Sequence, residues 1–128
     1  GYAFPTALGT KIAKPDTPVV SVSGDGGFQF ASQELSTAVQ YGINLISVVF
    51  NDNAYGNVMR DQINRFNGHV IGSKLHNPDF VKLAKAYGAR GKRVRTPNQL
   101  EIAIKEAIAA DAPTVIEVPV GPMPSPFG

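Results

Sequence analysis

Val19-Val20-Ser21-Val22-Ser23-Gly24-Asp25-Gly26-Gly27 decides how the rest of the chain is read. Its first five residues make an apolar strand, and the glycines that follow end it. A second run, Leu45-Ile46-Ser47-Val48-Val49-Phe50, closes in the same way on Asn51-Asp52-Asn53-Ala54-Tyr55-Gly56. Between them lies a helical pattern: Leu35, Ala38 and Val39 share a face, Ser32 stands at the N-cap and Gly42 at the end. Strand, helix and strand in that order form a parallel crossover, which sets both polar ends on one edge of the sheet. Both strands are expected to be buried. Asp25 and Asp52 then present one carboxylate each at that edge. The neighbouring glycines let a ligand reach the backbone, so the pattern suggests a metal ion carrying a phosphate group.

Outward from this unit the alternation continues. Pro5 opens a helix to about Ala13, with Ala7, Leu8 and Ile12 on one face, and Lys14-Pro15-Asp16 stops it. A helix from Tyr55 to about Ile63 follows the second strand, and residues 66–75 read as a loop. Asn77-Pro78 caps a helix in which Phe80, Leu83, Ala84 and Tyr87 recur at i, i+3, i+4 and i+7, and Gly88 ends it. Residues 90–95 form a weak strand. Thr96-Pro97-Asn98-Gln99 is a capping box that opens a helix through Leu100, Ala103, Ile104, Ala107 and Ile108, broken at Asp111-Ala112-Pro113. Residues 114–118 form the last strand, and 119–128 read as an irregular, proline-rich tail. The fold class is α/β: a mostly parallel sheet with helices on both faces, in one domain spanning residues 1–128.

Composition narrows the function. A formal charge of +2 is too small to argue for nucleic acid, and no apolar stretch is long enough to span a membrane. With no cysteine, thiolate metal sites, disulfides and thiol nucleophiles are excluded, and a cytoplasmic location is expected. The chain starts at Gly1 with residues that already read as part of a fold, so a fragment of a longer protein is expected.

The site can be assembled from types and spacing. Mg²⁺ favours about six oxygen ligands and keeps phosphate oxygens and water among them. Asp25 and Asp52 supply carboxylates, and a backbone carbonyl just after Asp52, most simply that of Ala54, supplies a third donor. Gly26 and Gly27 allow their N–H groups to approach a phosphate, and the helix starting near Tyr55 directs its N-terminus at the same place. A register with Asn53 as ligand and the Tyr55 carbonyl as third donor is the alternative.

Gly24-Asp25-Gly26, then residues 27–50, then Asn51-Asp52 resembles the thiamine diphosphate-binding motif, Gly-Asp-Gly followed some two dozen residues later by Asn-Asn. Residues 1–5, 33–39 and 77–84 resemble the same family. The resemblance covers nearly the whole chain and points to the C-terminal diphosphate-binding domain of the acetolactate synthase, pyruvate oxidase and decarboxylase group. It implies Asp25, Asp52 and the Ala54 carbonyl as Mg²⁺ ligands, with Asp52 replacing the family's usual second asparagine. Gly26, Gly27, Tyr55 and Gly56 join them around the cofactor. Val58 stands where pyruvate and indolepyruvate decarboxylases carry a catalytic glutamate; an apolar residue there resembles acetolactate synthases. Arg60-Asp61 stand where those enzymes carry Gln-Trp.

The resemblance implies chemistry on a 2-keto acid, with CO₂ lost and the remaining carbon transferred or joined. No catalytic residue is expected within this chain, because in the family the activating glutamate comes from a pyrimidine-binding domain, usually across a homodimer. The isolated chain is therefore expected to bind cofactor weakly and not to catalyse. A flavin in the full-length protein is compatible with the family. The alternatives are a 2-keto acid decarboxylase or oxidase and, from another class, a non-catalytic α/β binding module or an inactive proteolytic fragment. Arg60 reads as a solvated helix face, with a substrate carboxylate as the sharper option, and His69 and His76 read as surface residues. Arg90, Lys92, Arg93 and Arg95 read as a solvated edge strand, Glu34, Glu101, Glu106 and Glu117 as residues of helix faces or a strand, and Phe28 and Phe30 as core or interface.

Overall fold

Apolar runs with few charges need cover on both faces, and here helices provide most of it. The computed structural model describes residues 1–122. Its elements are α1 (Ala3–Ala13), β1 (Val20–Gly24), α2 (Asp25–Gln29), α3 (Leu35–Gln40), β2 (Ile46–Asn51), α4 (Gly56–Arg65), α5 (Phe80–Ala86), β3 (Arg90–Arg93), α6 (Pro97–Ala110) and β4 (Thr114–Pro119). The four strands form one sheet in the order β1-β2-β4-β3, every pair parallel. This is the α/β sheet the alternation predicts.

Register sorts the side chains. Ser21 pairs with Ser47 and Ser47 with Val115, so odd positions of these strands share one face with Val49 and Glu117. On that face α1, α2, α3 and α5 bury Phe4, Leu8, Phe28, Leu35, Ala38, Phe80 and Ala84. Phe28 is its centre, 1% exposed, with its ring edge-to-face against Phe4 at 5.3 Å and Phe80 at 5.7 Å. On the other face α6 lays Ala103 and Ala107 over Ile46, Val48, Ile116 and Val94.

Several local expectations are corrected. β1 is not buried on both sides: Val20 and Val22 are 41% and 60% exposed, because it is an edge strand and α6 does not reach over it. Ile12 and Ile108, expected on buried faces, are 66% and 45% exposed at the ends of their helices. A short helix that the sequence reading does not contain, α2, opens directly at Asp25 with extended Gly24 as N-cap. Ser32 does not cap a helix; residues 32–34 make a 3₁₀ turn that leads into α3.

At α5 the cap is Asp79, whose carboxylate accepts from the N–H groups of Val81 and Lys82 at 3.0 Å each, and Asn77 lies outside the helix. Thr96 caps α6 as expected, and Gln99 reaches back to the N–H of Arg95 at 2.8 Å. Gly42 and Gly88 end their helices at φ +60° and +85°, as their positions predict. Gly91 has a different role: a Cβ there would lie 2.7 Å from the Val81 carbonyl oxygen, so glycine sets how closely β3 meets α5. Pro119, expected in the irregular tail at 119–128, instead pairs with Asn51 in β4; residues 123–128 lie outside the described part.

Candidate functional site

β1 and β2 end side by side, with Gly24 paired to Phe50, so the segments that follow share one edge of the sheet. From β1 the chain enters α2 at once, which places Asp25 at its first position, 2% exposed. From β2 it passes through Asn51 and Asp52 into a tight loop. Asn53 adopts a left-handed φ of +57°, the Asn51 side chain accepts from the Asn53 N–H at 3.2 Å, and the Asp52 side chain accepts from the Ala54 N–H at 3.2 Å. The loop then pairs with residues 73–75: Tyr55 N–H donates to the Ser73 carbonyl, and Leu75 N–H to the Asn53 carbonyl, both at 2.8 Å. Part of the expected 66–75 loop thus pairs with the loop that carries the site residues.

Two clefts open here. One of about 230 Å³ is lined by Asp25, Gly26, Gly27, Ala54, Tyr55 and Gly56, with Gly24, Asn57 and Val58. The other, about 450 Å³, shares Asp25, Ala54 and Gly56 and adds Asp52, Arg60 and Val22. Every site residue expected from the sequence borders one cleft or both.

At two of these positions a side chain would displace a site residue. A Cβ on Gly26 would press on the Tyr55 ring, and one on Gly56 would sit 2.8 Å from Asp52 Oδ2. The 10-residue helix α4 begins at Gly56, and its first N–H groups lack partners within the helix, as at any helix start. Its own residues are not buried, so it is held largely by its ends; Ser73, fully buried, donates to Gln62 at 2.7 Å, and Gln62 donates to the Ile71 carbonyl at 2.8 Å.

The donor set fits a hard divalent cation. Burial first, and then the negative charge of Asp25, pushes the Asp52 carboxyl above its ordinary range. Two carboxylates that repel each other in a partly dry place gain from a cation between them. Among the described residues no cluster of three or more His, Cys, Asp or Glu could hold a metal, so further donors must be carbonyls, ligand oxygens or water. The neighbouring carbonyls are unequal: that of Asn53 accepts from Leu75 and that of Tyr55 from Met59, whereas no backbone N–H among the described residues bonds that of Ala54.

Four residues of the site escaped the sequence reading. Asn77 Nδ2 donates to Asp25 Oδ2 at 2.5 Å and to Asn51 Oδ1 at 2.8 Å. Asn51 Nδ2 donates to Glu117 Oε1 at 2.9 Å, and Glu117 Oε2 accepts from Arg93 Nε at 2.9 Å and Nη2 at 2.8 Å. Glu117 is 3% exposed, so a strand position alone does not account for it, and Arg93, solvent-exposed on the edge strand as expected, also pairs with it. The signal was register: Arg93 pairs with Glu117, which puts both on the face of Asn51. Lys92, on the opposite face, pairs with Glu106 as a surface residue. His69 and His76 are exposed, as expected, and Phe30 is 67% exposed beside Tyr55 while Phe28 is core.

Comparison with known proteins agrees with this geometry. Residues 1–118 match the family described as thiamine pyrophosphate enzyme, C-terminal TPP binding domain. An acetolactate synthase of Bacillus subtilis is 41% identical over 120 residues, 94% of this chain and 21% of the relative. A probable acetolactate synthase large subunit of Methanococcus aeolicus is 40% identical over 124 residues, 95% of this chain and 20% of the relative. Among solved structures, a thiamine diphosphate-dependent 4-hydroxybenzoylformate decarboxylase of Rhodococcus jostii superposes with a TM-score of 0.88 at 36% identity, over 96% of this chain and 23% of that one. The chain spans about a fifth of the length of the curated relatives it matches. With its strand ends, glycines and paired aspartates arranged as described, the chain belongs to the C-terminal diphosphate-binding domain family of thiamine diphosphate-dependent enzymes.

Proposed function

We propose that this chain is the diphosphate-side domain of a longer, acetolactate synthase-like enzyme that decarboxylates a 2-keto acid and joins the remaining carbon to a second carbonyl. The observation that carries the cofactor half is the pair of carboxylates, Asp25 and Asp52, on adjacent parallel strand ends beside glycines and a helix start. Asp25, Asp52 and the Ala54 carbonyl hold Mg²⁺; the register with Asn53 as ligand is disfavoured because Asn53 Oδ1 already accepts from Asn77 and the Tyr55 carbonyl from Met59. Gly26, Gly27 and Gly56 bring backbone N–H groups to the diphosphate, and the α4 N-terminus adds its positive end. When bound, thiamine diphosphate supplies the nucleophilic carbon and the electron sink for decarboxylation.

The chain's own share is binding and orientation. Its four glutamates are engaged elsewhere: Glu34 accepts from Thr37, Glu101 pairs with Lys105, Glu106 with Lys92 and Glu117 with Arg93. In keeping with the family resemblance, the group that activates the aminopyrimidine is expected from a pyrimidine-binding domain of the same enzyme, across a homodimer. Val58 lines the smaller cleft and carries no proton to give, which favours joining over simple protonation.

The test is product analysis of the full-length enzyme with pyruvate and a panel of aryl and branched 2-keto acids, supplied with thiamine diphosphate and Mg²⁺. A two-substrate hydroxyketo acid product, such as acetolactate, is expected. Aldehyde as the sole product would favour the decarboxylase reading, which the decarboxylase superposition supports. No CO₂ from any 2-keto acid would refute both.

A further inference from the structure

A run of hydrogen bonds crosses the sheet edge behind the two aspartates, and its direction is fixed by charge. The Glu117 carboxylate, held by two bonds from Arg93, can only accept. Asn51 must therefore turn its NH₂ to Glu117, at 2.9 Å, which leaves its Oδ1 facing Asn77. Asn77 must in turn present its NH₂, and that nitrogen reaches Asn51 Oδ1 at 2.8 Å and Asp25 Oδ2 at 2.5 Å, with Asn53 Oδ1 at 3.3 Å. The Asn77 Oδ1 then accepts from Gln29 Nε2 at 2.5 Å, at the far end of α2. Two amide protons and one amide oxygen thus join α2, the end of β2 and the segment before α5.

We propose that Asn77 is a positioning residue of the cation site: its amide grips Asp25 Oδ2 and the end of β2 together, so that Asp25 turns its other oxygen, and Asp52 its carboxylate, toward one point. Arg93 and Glu117 set the orientation of that amide from the opposite edge of the sheet. Without the donor, Asp25 loses the Asn77 bond that fixes its Oδ2, and the bridge through Asn77 from Asp25 to Asn51 at the end of β2 is gone. Groups that orient ligands in this way govern metal affinity by about 10–100-fold. This inference rests on the cofactor reading above.

The experiment is calorimetric titration of thiamine diphosphate, with and without Mg²⁺, into the full-length enzyme and three variants. Asn77→Ala is expected to weaken Mg²⁺-dependent binding by about tenfold or more. Asp79→Ala removes the α5 cap and one Arg93 contact but leaves every bond from Glu117 to Asp25. It is expected to lower the unfolding temperature and leave affinity within about twofold. Gln29→Leu keeps Asn77 but releases its oxygen, and is expected to cost about threefold or more; it decides the matter should Asn77→Ala not fold. Unchanged affinity in Asn77→Ala, or in Gln29→Leu, overturns the proposal. An equal loss in Asp79→Ala overturns it too, since that outcome makes the role one of general stability. Absence of binding by the parent enzyme refutes the cofactor reading itself and is distinguishable from both.

Discussion

Replacing Glu117 by alanine is the sharpest test of the buried network. The side chain is 4% exposed and takes three hydrogen bonds, two from Arg93 at 2.8 and 2.9 Å and one from Asn51 at 2.9 Å. Removing one partner of a buried ion pair costs about 3–5 kcal/mol, because the other charge is left uncompensated. An orphaned buried amide adds about 1–3 kcal/mol. Two features reduce the sum: the Arg93 side chain is 36% exposed, so water recovers part of its solvation, and it keeps Asp79 at 3.0 Å. The expected loss is therefore near the lower bound, about 3 kcal/mol. At about 4 °C per kcal/mol for a chain of this size, the unfolding temperature falls by about 12 °C. Glu117→Gln keeps an acceptor for Asn51 and loses only the charge, so about half that fall is expected. Thermal unfolding followed by circular dichroism, checked by urea midpoints, reads both. A change of less than about 3 °C for Glu117→Ala would show that the pair is not a stabilising unit and would refute the reasoning.

Other consequences follow from single residues. Phe28→Ala removes the ring that joins Phe4 and Phe80, and is expected to cost about 3–5 kcal/mol by urea unfolding; less than about 1.5 would place the core elsewhere. Gly91→Ala drives a Cβ against the Val81 backbone, so a loss of about 1–3 kcal/mol is expected, and a neutral result would mean that β3 can step away from α5 freely. Asp52 ionises less readily in the fold than in the unfolded chain, so its contribution to stability is present at low pH and lost as pH rises through its raised pKa. In the presence of a chelator, Asp52→Asn is therefore expected to be more stable than the parent at neutral pH, with the difference vanishing below the ordinary carboxylate range. Identical pH slopes for the two proteins would contradict that.

Much of this arrangement was readable because it is local. Two apolar runs with a crossover helix between them determine that Asp25 and Asp52 share an edge, and the i, i+3, i+4 pattern from Phe80 determines which face of α5 is buried. Exposure of Val20 and Val22 was not readable, because cover over a strand depends on where α6 lies in space and not on the strand's own residues. Asn77 was misread for a similar reason. Asn-Pro before a helix is a normal cap signal, yet Asp79 is two residues closer to the first N–H groups and takes that role, which releases Asn77 toward Asp25. Glu117 and Arg93 look like an ordinary strand residue and part of a basic cluster until β3 and β4 are set in register. Buried polar networks join positions far apart in the chain, and such pairings need the topology first.

The central claim is that Asp25 and Asp52 hold a cation that carries the cofactor's diphosphate. It is tested most directly by titrating thiamine diphosphate into the full-length enzyme with Mg²⁺ and then with chelator, for the parent and for Asp25→Ala. The account predicts saturable binding in the parent that requires Mg²⁺ and is lost in Asp25→Ala while the variant remains folded. Binding of equal affinity without Mg²⁺, or undiminished by Asp25→Ala, would contradict it.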